Sequence, residues 1–165
     1  MGPLVCHLGN KNVDIATEAA MALGKFACPE NFNCSEHSKA IIEFNGVPPL
    51  MRLLRSGDEA QLQGLVLLCY LALNAGTSKA LVQARALNAL ERTARYVLAQ
   101  HPEMKGLVDK AIHLIRYQAG ATPSRHSSFS EDTPASGLGW FTACNLISLC
   151  FCLRLRLLLD IVPPL

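Results

Sequence analysis

Residues 38–50 read SKAIIEFNGVPPL, and residues 78–90 read SKALVQARALNAL. Both stretches begin with Ser-Lys-Ala, 40 positions apart, and their apolar residues continue in the same register. The matched pairs are Ile41 with Leu81, Ile42 with Val82, Val47 with Leu87 and Leu50 with Leu90. A period of about 40 residues built from helical segments is typical of α-solenoids. Because such stacks present long binding surfaces, the pattern favours partner recognition over catalysis.

Apolar spacing and helix-ending residues divide the body of the chain into predicted helices. They cover residues 12–27, 35–44, 47–55, 59–75, 78–83, 86–97 and 102–117. The order short, medium, long occurs twice, which favours a three-helix repeat. We therefore expect an all-α fold, a right-handed α-solenoid. Gly46 is predicted to take the left-handed position that ends the helix 35–44. The helix 59–75 is apolar on nearly all sides and should be covered by neighbours.

Composition narrows the functional classes. Half of the 165 residues are apolar and 17% are charged, which is enough for a core. The formal net charge of +2 is too small to favour nucleic-acid binding. The seven cysteines form no CxxC pair, so zinc and thioredoxin-like sites lose their usual support. An odd, scattered set of cysteines favours reduced thiols in an intracellular protein.

The chain divides into four predicted segments. Residues 1–11 are an N-terminal lead, and residues 12–120 hold about two and a half repeats. Residues 121–139 are rich in Ser, Thr, Pro and Gly, which predicts a disordered linker. Residues 140–165 form an apolar tail in which the repeat pattern does not return. This tail is predicted to be irregular or non-native, but a membrane anchor or acylation of Cys150 and Cys152 is the alternative.

Three longer phrases carry a family resemblance. They are KFACPENFNCSEHSKAIIEFNGVPPLMRLLRSGDEAQ (25–61), GLVLLCYLAL (64–73) and AQHPEMK (99–105). With the repeat pattern, they make residues 12–120 resemble armadillo repeats, and more closely the C-terminal end of the plant Armadillo Repeat Only proteins. The resemblance implies a C-terminal fragment of a longer, non-catalytic scaffold in polarised growth. Its implied partners are regulators of Rho-of-plants GTPases or cytoskeletal factors.

A comparison with importin-alpha suggests where a partner would bind. In that protein the third helix of each armadillo repeat carries a Trp and, four residues later, an Asn, which hold an extended peptide. Aligning the third helices here with a spacing of 46 residues gives the pairs Met21 and Lys25, Leu67 and Leu71, and His113 and Tyr117. Trp and Asn are absent from all of them. We therefore expect a more apolar groove that suits a helix or hydrophobic segment of a protein partner.

Other residue combinations favour neither catalysis nor metal binding. His37 with Glu36, and His113 with Asp109 and Lys110, lack a nucleophile at useful spacing. Cys28, Cys34 and His37 are irregularly spaced for a metal site. We expect no enzyme activity, cofactor or metal.

The predicted function is a cytoplasmic protein–protein interaction scaffold, with peripheral attachment at the plasma membrane as a further option. A membrane-tethered adaptor and the substrate-recruiting part of a ubiquitin ligase are the alternatives.

Overall fold

The computed structural model describes residues 1–76 and 78–118, and these residues are helical with no strand among them. They belong to the unit Met1–Pro123, whereas the unit Ser124–Leu165 lies outside the described residues. The α-helices are α1 (Gly2–Leu8), α2 (Val13–Ala27), α3 (Cys34–Glu43), α4 (Val47–Leu53), α5 (Asp58–Ala75), α6 (Lys79–Gln83), α7 (Ala86–Gln100) and α8 (Lys105–Gln118). A short 3-10 helix, Pro102–Met104, precedes α8. The predicted all-α class is confirmed.

The 40-residue register appears in three dimensions as two three-helix units, α3–α5 and α6–α8. Ile41 and Leu81 are both buried on the first helices, and Leu50 and Leu90 are both fully buried on the second helices. Helix α5 packs against α2, α3, α4, α7 and α8, so it lies at the centre of the stack. The expectation that neighbouring helices cover this helix is confirmed. An α-solenoid core runs through it.

The turn between first and second helices repeats in backbone detail. Asn45 has a φ of 61° and Arg85 a φ of 55°, and these are the positive-φ residues other than glycine in the described residues. In each turn the positive-φ residue donates its amide to the carbonyl three residues back, Ile42 or Val82. The left-handed position therefore belongs to Asn45. The sequence-based prediction that Gly46 takes this position is wrong. Gly46 is needed for space, because a Cβ there would lie 2.7 Å from the Ile41 carbonyl oxygen.

The N-terminal lead contains a helix of the repeat. Helix α1 packs against α2 and α4. When α1–α2 is placed on α4–α5 with a shift of 45 positions, Val5 falls on Leu50, Leu8 on Leu53 and Leu23 on Leu68, and all six side chains are buried. Helices α1 and α2 thus correspond to the second and third helices of a unit. The N-terminal lead predicted at residues 1–11 therefore contains α1, which is the second helix of this unit.

The predicted helix ends agree with the structure to within one to three residues. Asn12 caps α2, since its side-chain oxygen accepts a hydrogen bond from the Asp14 amide. The largest differences are three residues: α7 continues to Gln100 instead of residue 97, and α8 begins at Lys105 instead of residue 102. The predicted linker 121–139 and the apolar tail 140–165 lie outside the described residues.

Candidate protein-binding surface

The residues predicted to form a groove separate into buried and exposed groups. Leu67 and Leu71 of α5 have 0% exposure, so they belong to the core and offer no surface to a partner. Met21 on α2 is partly exposed, and Lys25 is exposed. On α8, His113 is exposed, and Tyr117 is 76% exposed. The structure therefore leaves these four as candidates for binding and corrects the placement of the two leucines.

The correction has a simple geometric cause. Within residues 65–72 of α5, only Val66 and Tyr70 keep measurable exposure, each 8%. The 45-residue shift that aligns α1–α2 with α4–α5 puts Met21 on Val66 and Lys25 on Tyr70. A spacing of 46 residues therefore moved the predicted positions on α5 by one residue. One residue is about 100° of helix rotation, which turns an outward position into the core.

We define the third-helix surface as the residues that the corrected alignment and the exposure together select. These are the exposed or partly exposed Met21, Lys25, His113 and Tyr117, together with Val66 and Tyr70, which at 8% exposure are the least buried of residues 65–72 in α5. Val66 and Tyr70 were missed by the sequence interpretation, although the 45-residue match of α1 onto α4 was a signal that could have found them. Because α5 packs against both α2 and α8, the three third helices are neighbours in the stack.

Charge changes along these helices. Asp14 and Glu18 are exposed on the first half of α2, whereas Lys25 lies near its end. Helix α5 carries Glu59 in its first turn, where the carboxylate accepts a hydrogen bond from Gln63 at 3.2 Å. Acidic groups near the N-terminus and basic groups near the C-terminus suit the helix dipole.

A polar contact fixes the end of α5 against the preceding unit. The Asn74 side-chain amide donates to the Ala27 carbonyl at 2.7 Å and to the Ser38 hydroxyl at 3.0 Å. Ser38 is fully buried. One side chain therefore joins the end of α2, the middle of α3 and the end of α5. It holds the third helices of neighbouring units in a set alignment.

The loop after α2 is held by its own contacts. The His37 ring nitrogen Nδ1 lies 3.2 Å from the Phe26 carbonyl, and the two rings meet edge to face at 5.2 Å. The Cys28 thiol points at the Tyr70 hydroxyl at 3.8 Å. No group of three potential ligands that could hold a metal ion occurs in residues 1–76 and 78–118. The contacts of Cys28 and His37 thus tie the loop to α2, α3 and α5.

The thiol at the centre of α5 is unreactive. Cys69 is fully buried, and burial raises the pKa of its thiol from 9.0 to about 12. The thiolate is the reactive form of cysteine, so this side chain is protonated at neutral pH and shielded from solvent. Cys69 acts as a small apolar core residue.

A separate cleft of about 510 Å³ lies between the end of α4, the first turn of α5 and the middle of α7. It is lined by Leu54, Arg55, Ser56, Gln61, Arg92, Thr93 and Tyr96. None of these residues belongs to the third-helix surface. The described part of the chain therefore offers two distinct surfaces.

Residues 34–64 match the family model of the Armadillo/beta-catenin-like repeat. The matched span covers α3, α4 and the first part of α5, which is most of the central unit. The match supports the armadillo family, whose repeats generally mediate protein–protein interaction on a typically non-catalytic fold. Neither curated proteins nor solved structures gave a significant match. Among the described helices, none is both long and apolar enough to cross a bilayer.

Proposed function

We propose that this chain is a non-catalytic protein-binding scaffold that contacts its partner through the third-helix surface. The observation that supports it is the side-by-side packing of α2, α5 and α8 in a chain whose central unit matches the armadillo repeat. Exposed Tyr117 and partly exposed Met21 supply apolar contact at the two ends of this surface. Aromatic residues and Met are enriched at the centres of protein interfaces.

The finer proposal concerns the partner. The resemblance to plant Armadillo Repeat Only proteins supports a role in polarised growth, with a Rho-of-plants GTPase-activating protein as the partner to test. Binding would recruit this regulator without any chemical step on the scaffold. The proposed location is the cytoplasm, with peripheral attachment at the plasma membrane if residues 140–165 bind lipid.

Binding should be measured by biolayer interferometry with a purified Rho-of-plants GTPase-activating protein. Tyr117→Ala should weaken binding about tenfold, the change expected when a well-packed interface aromatic is removed. Phe32→Ala is the matched control, since Phe32 is 99% exposed in the loop after α2 and lies outside both the third-helix surface and the cleft. Equal binding by the wild type and by the Tyr117 variant, both folded, would rule out this surface for that partner.

The location needs its own experiment. A fluorescent fusion of the whole chain should be compared with a fusion of residues 1–139. Loss of a plasma-membrane signal in the shorter fusion supports attachment through the tail, whereas an identical distribution of the two fusions rejects it.

A further inference from the structure

The cleft between the second helices is concave and polar at its walls. Its first wall is the end of α4 and the turn that follows, with Leu54, Arg55 and Ser56. Its second wall is the middle of α7, with Arg92, Thr93 and Tyr96. Gln61, from the first turns of α5, closes the floor by donating its side-chain amide to the Leu54 carbonyl at 2.9 Å. The Leu54 carbonyl is thereby satisfied within the protein, so the polar groups that remain in the cleft are the side chains of its walls.

Three of those groups have no partner among the described residues. Arg55 and Arg92 are exposed and form neither an ion pair nor a hydrogen bond with another described side chain. Thr93 is 2% exposed, and its hydroxyl has no hydrogen bond within residues 1–76 and 78–118. Since no buried side-chain nitrogen or oxygen among the described residues lacks a partner, this hydroxyl is reached by solvent inside the cleft. Two guanidinium groups beside it offer only donors.

The repeat register shows that this arrangement is special to one junction. Arg52 and Arg92 occupy equivalent positions on α4 and α7, as do Arg55 and Arg95. At the junction of α1 with α4, the equivalent of Arg55 is Asn10, and the equivalent of Thr93 is Leu53. That junction therefore has one arginine and no hydroxyl. The pair of arginines and the buried threonine occur together only between α4 and α7 in the described stack.

We propose that the cleft binds an acidic peptide segment of a partner protein, with a Glu or Asp carboxylate held between Arg55 and Arg92. The planar guanidinium presents paired N–H donors that fit the two oxygens of a carboxylate. The Thr93 hydroxyl donates to the same group. A volume of about 510 Å³ suits a few side chains, whereas a lipid surface or a nucleic acid requires a broad basic face. The overall charge of +2 does not supply such a face.

The test uses the full chain and a fluorescein-labelled hexaglutamate peptide, with hexaglutamine as the peptide control. Fluorescence polarisation should show that Arg55→Gln and Arg92→Gln each weaken binding by about fivefold or more, since each removes charge-assisted hydrogen bonds. Arg95→Gln is the matched control, because it makes the same charge change on α7 outside the cleft and should alter binding less than about twofold. The affinity of Arg92→Lys for hexaglutamate should lie between those of wild type and Arg92→Gln. Lysine keeps the positive charge but lacks the paired N–H donors of the guanidinium.

Thr93→Val separates binding from folding. Because the hydroxyl has no partner in the described structure, the variant should melt at or above the wild-type temperature while binding hexaglutamate more weakly. Equal losses for Arg95→Gln and Arg92→Gln would overturn the proposal in favour of diffuse charge attraction. Unchanged hexaglutamate binding in both cleft variants, with loss of binding to phosphatidylserine vesicles, would overturn it in favour of a membrane contact. Hexaglutamine binding as strong as hexaglutamate would also overturn it.

Discussion

Leu71 shows how much depends on a single residue of register. Its side chain lies in the core at 0% exposure, one position from Tyr70, which keeps 8% exposure. Sequence periodicity could not distinguish these two positions because α5 is apolar around most of its circumference. The exposed positions of α2 could be recognised from sequence because small core residues alternate there with charged ones.

The burial of Leu71 predicts a loss of stability rather than a specific loss of binding. Leu71→Ala should lower the free energy of unfolding by about 2–5 kcal/mol, as expected when a fully buried leucine is truncated. Met21→Ala, on the partly exposed face of α2, should cost less than about 1 kcal/mol. Urea unfolding followed by circular dichroism measures both. Equal, small losses for the two variants would show that Leu71 is not a core residue.

The Cys69 thiol predicts a pH dependence of stability. Its pKa is about 12 in the folded protein and near 9.0 when exposed, so the unfolded chain loses this proton first as the pH rises. Ionisation therefore favours the unfolded state above pH 9, and the effect is absent below it. By pH 10 the loss should be about 1.4 kcal/mol for this group.

The measurement compares wild type with Cys69→Ala by urea unfolding at pH 8 and pH 10. The alanine variant is less stable at both pH values because of the cavity, but the drop between them should be smaller than in wild type. An identical drop in both proteins would contradict the buried, protonated thiol.

At the scale of helices, the sequence predicts the first and second helices of both three-helix units. It predicts the facing of the third helices only in part. The match of residues 38–50 with 78–90 fixes Ile41 on Leu81 and Leu50 on Leu90, and the structure confirms these pairs as buried. The shared left-handed turn at Asn45 and Arg85 was not predictable, because arginine is a poor residue for positive φ. Helix α1 was also missed, because its seven residues are too few to show a clear period.

Asn74 holds neighbouring units in alignment. Removing its side chain should therefore lower the stability of the protein more than is usual for a residue at the end of a helix. Asn74→Ala leaves the Ala27 carbonyl and the buried Ser38 hydroxyl without their donor. We expect the free energy of unfolding to fall by about 1–3 kcal/mol. The matched control is Asn88→Ala on α7, where the side chain is exposed and the cost should stay within about 0.5 kcal/mol. Chemical denaturation tests the pair, and comparable losses would show that the contact does not hold the units together.

For the whole described unit, large apolar side chains are exposed at several places, and three of them lie on or near α1 and α2. Val13 and Ile15 are each more than 40% exposed on the first turn of α2, and Phe44 is 57% exposed beside Gly2 of α1. Val13 and Ile15 both belong to α2. Exposed apolar side chains favour contacts between copies of a protein. We therefore expect copies of this chain to associate through α2.

This association can be tested without disturbing the core. Ile15→Glu places a charge on the exposed face of α2 and should shift the protein toward monomer in sedimentation velocity at concentrations where the wild type forms larger species. The charge opposes association because it must be desolvated when two copies meet at this position. Val82→Glu is the matched control, since Val82 is 62% exposed on α6 and is not part of this face. A wild type that sediments as a monomer at all concentrations would contradict the prediction, as would equal shifts from the Ile15 and Val82 variants.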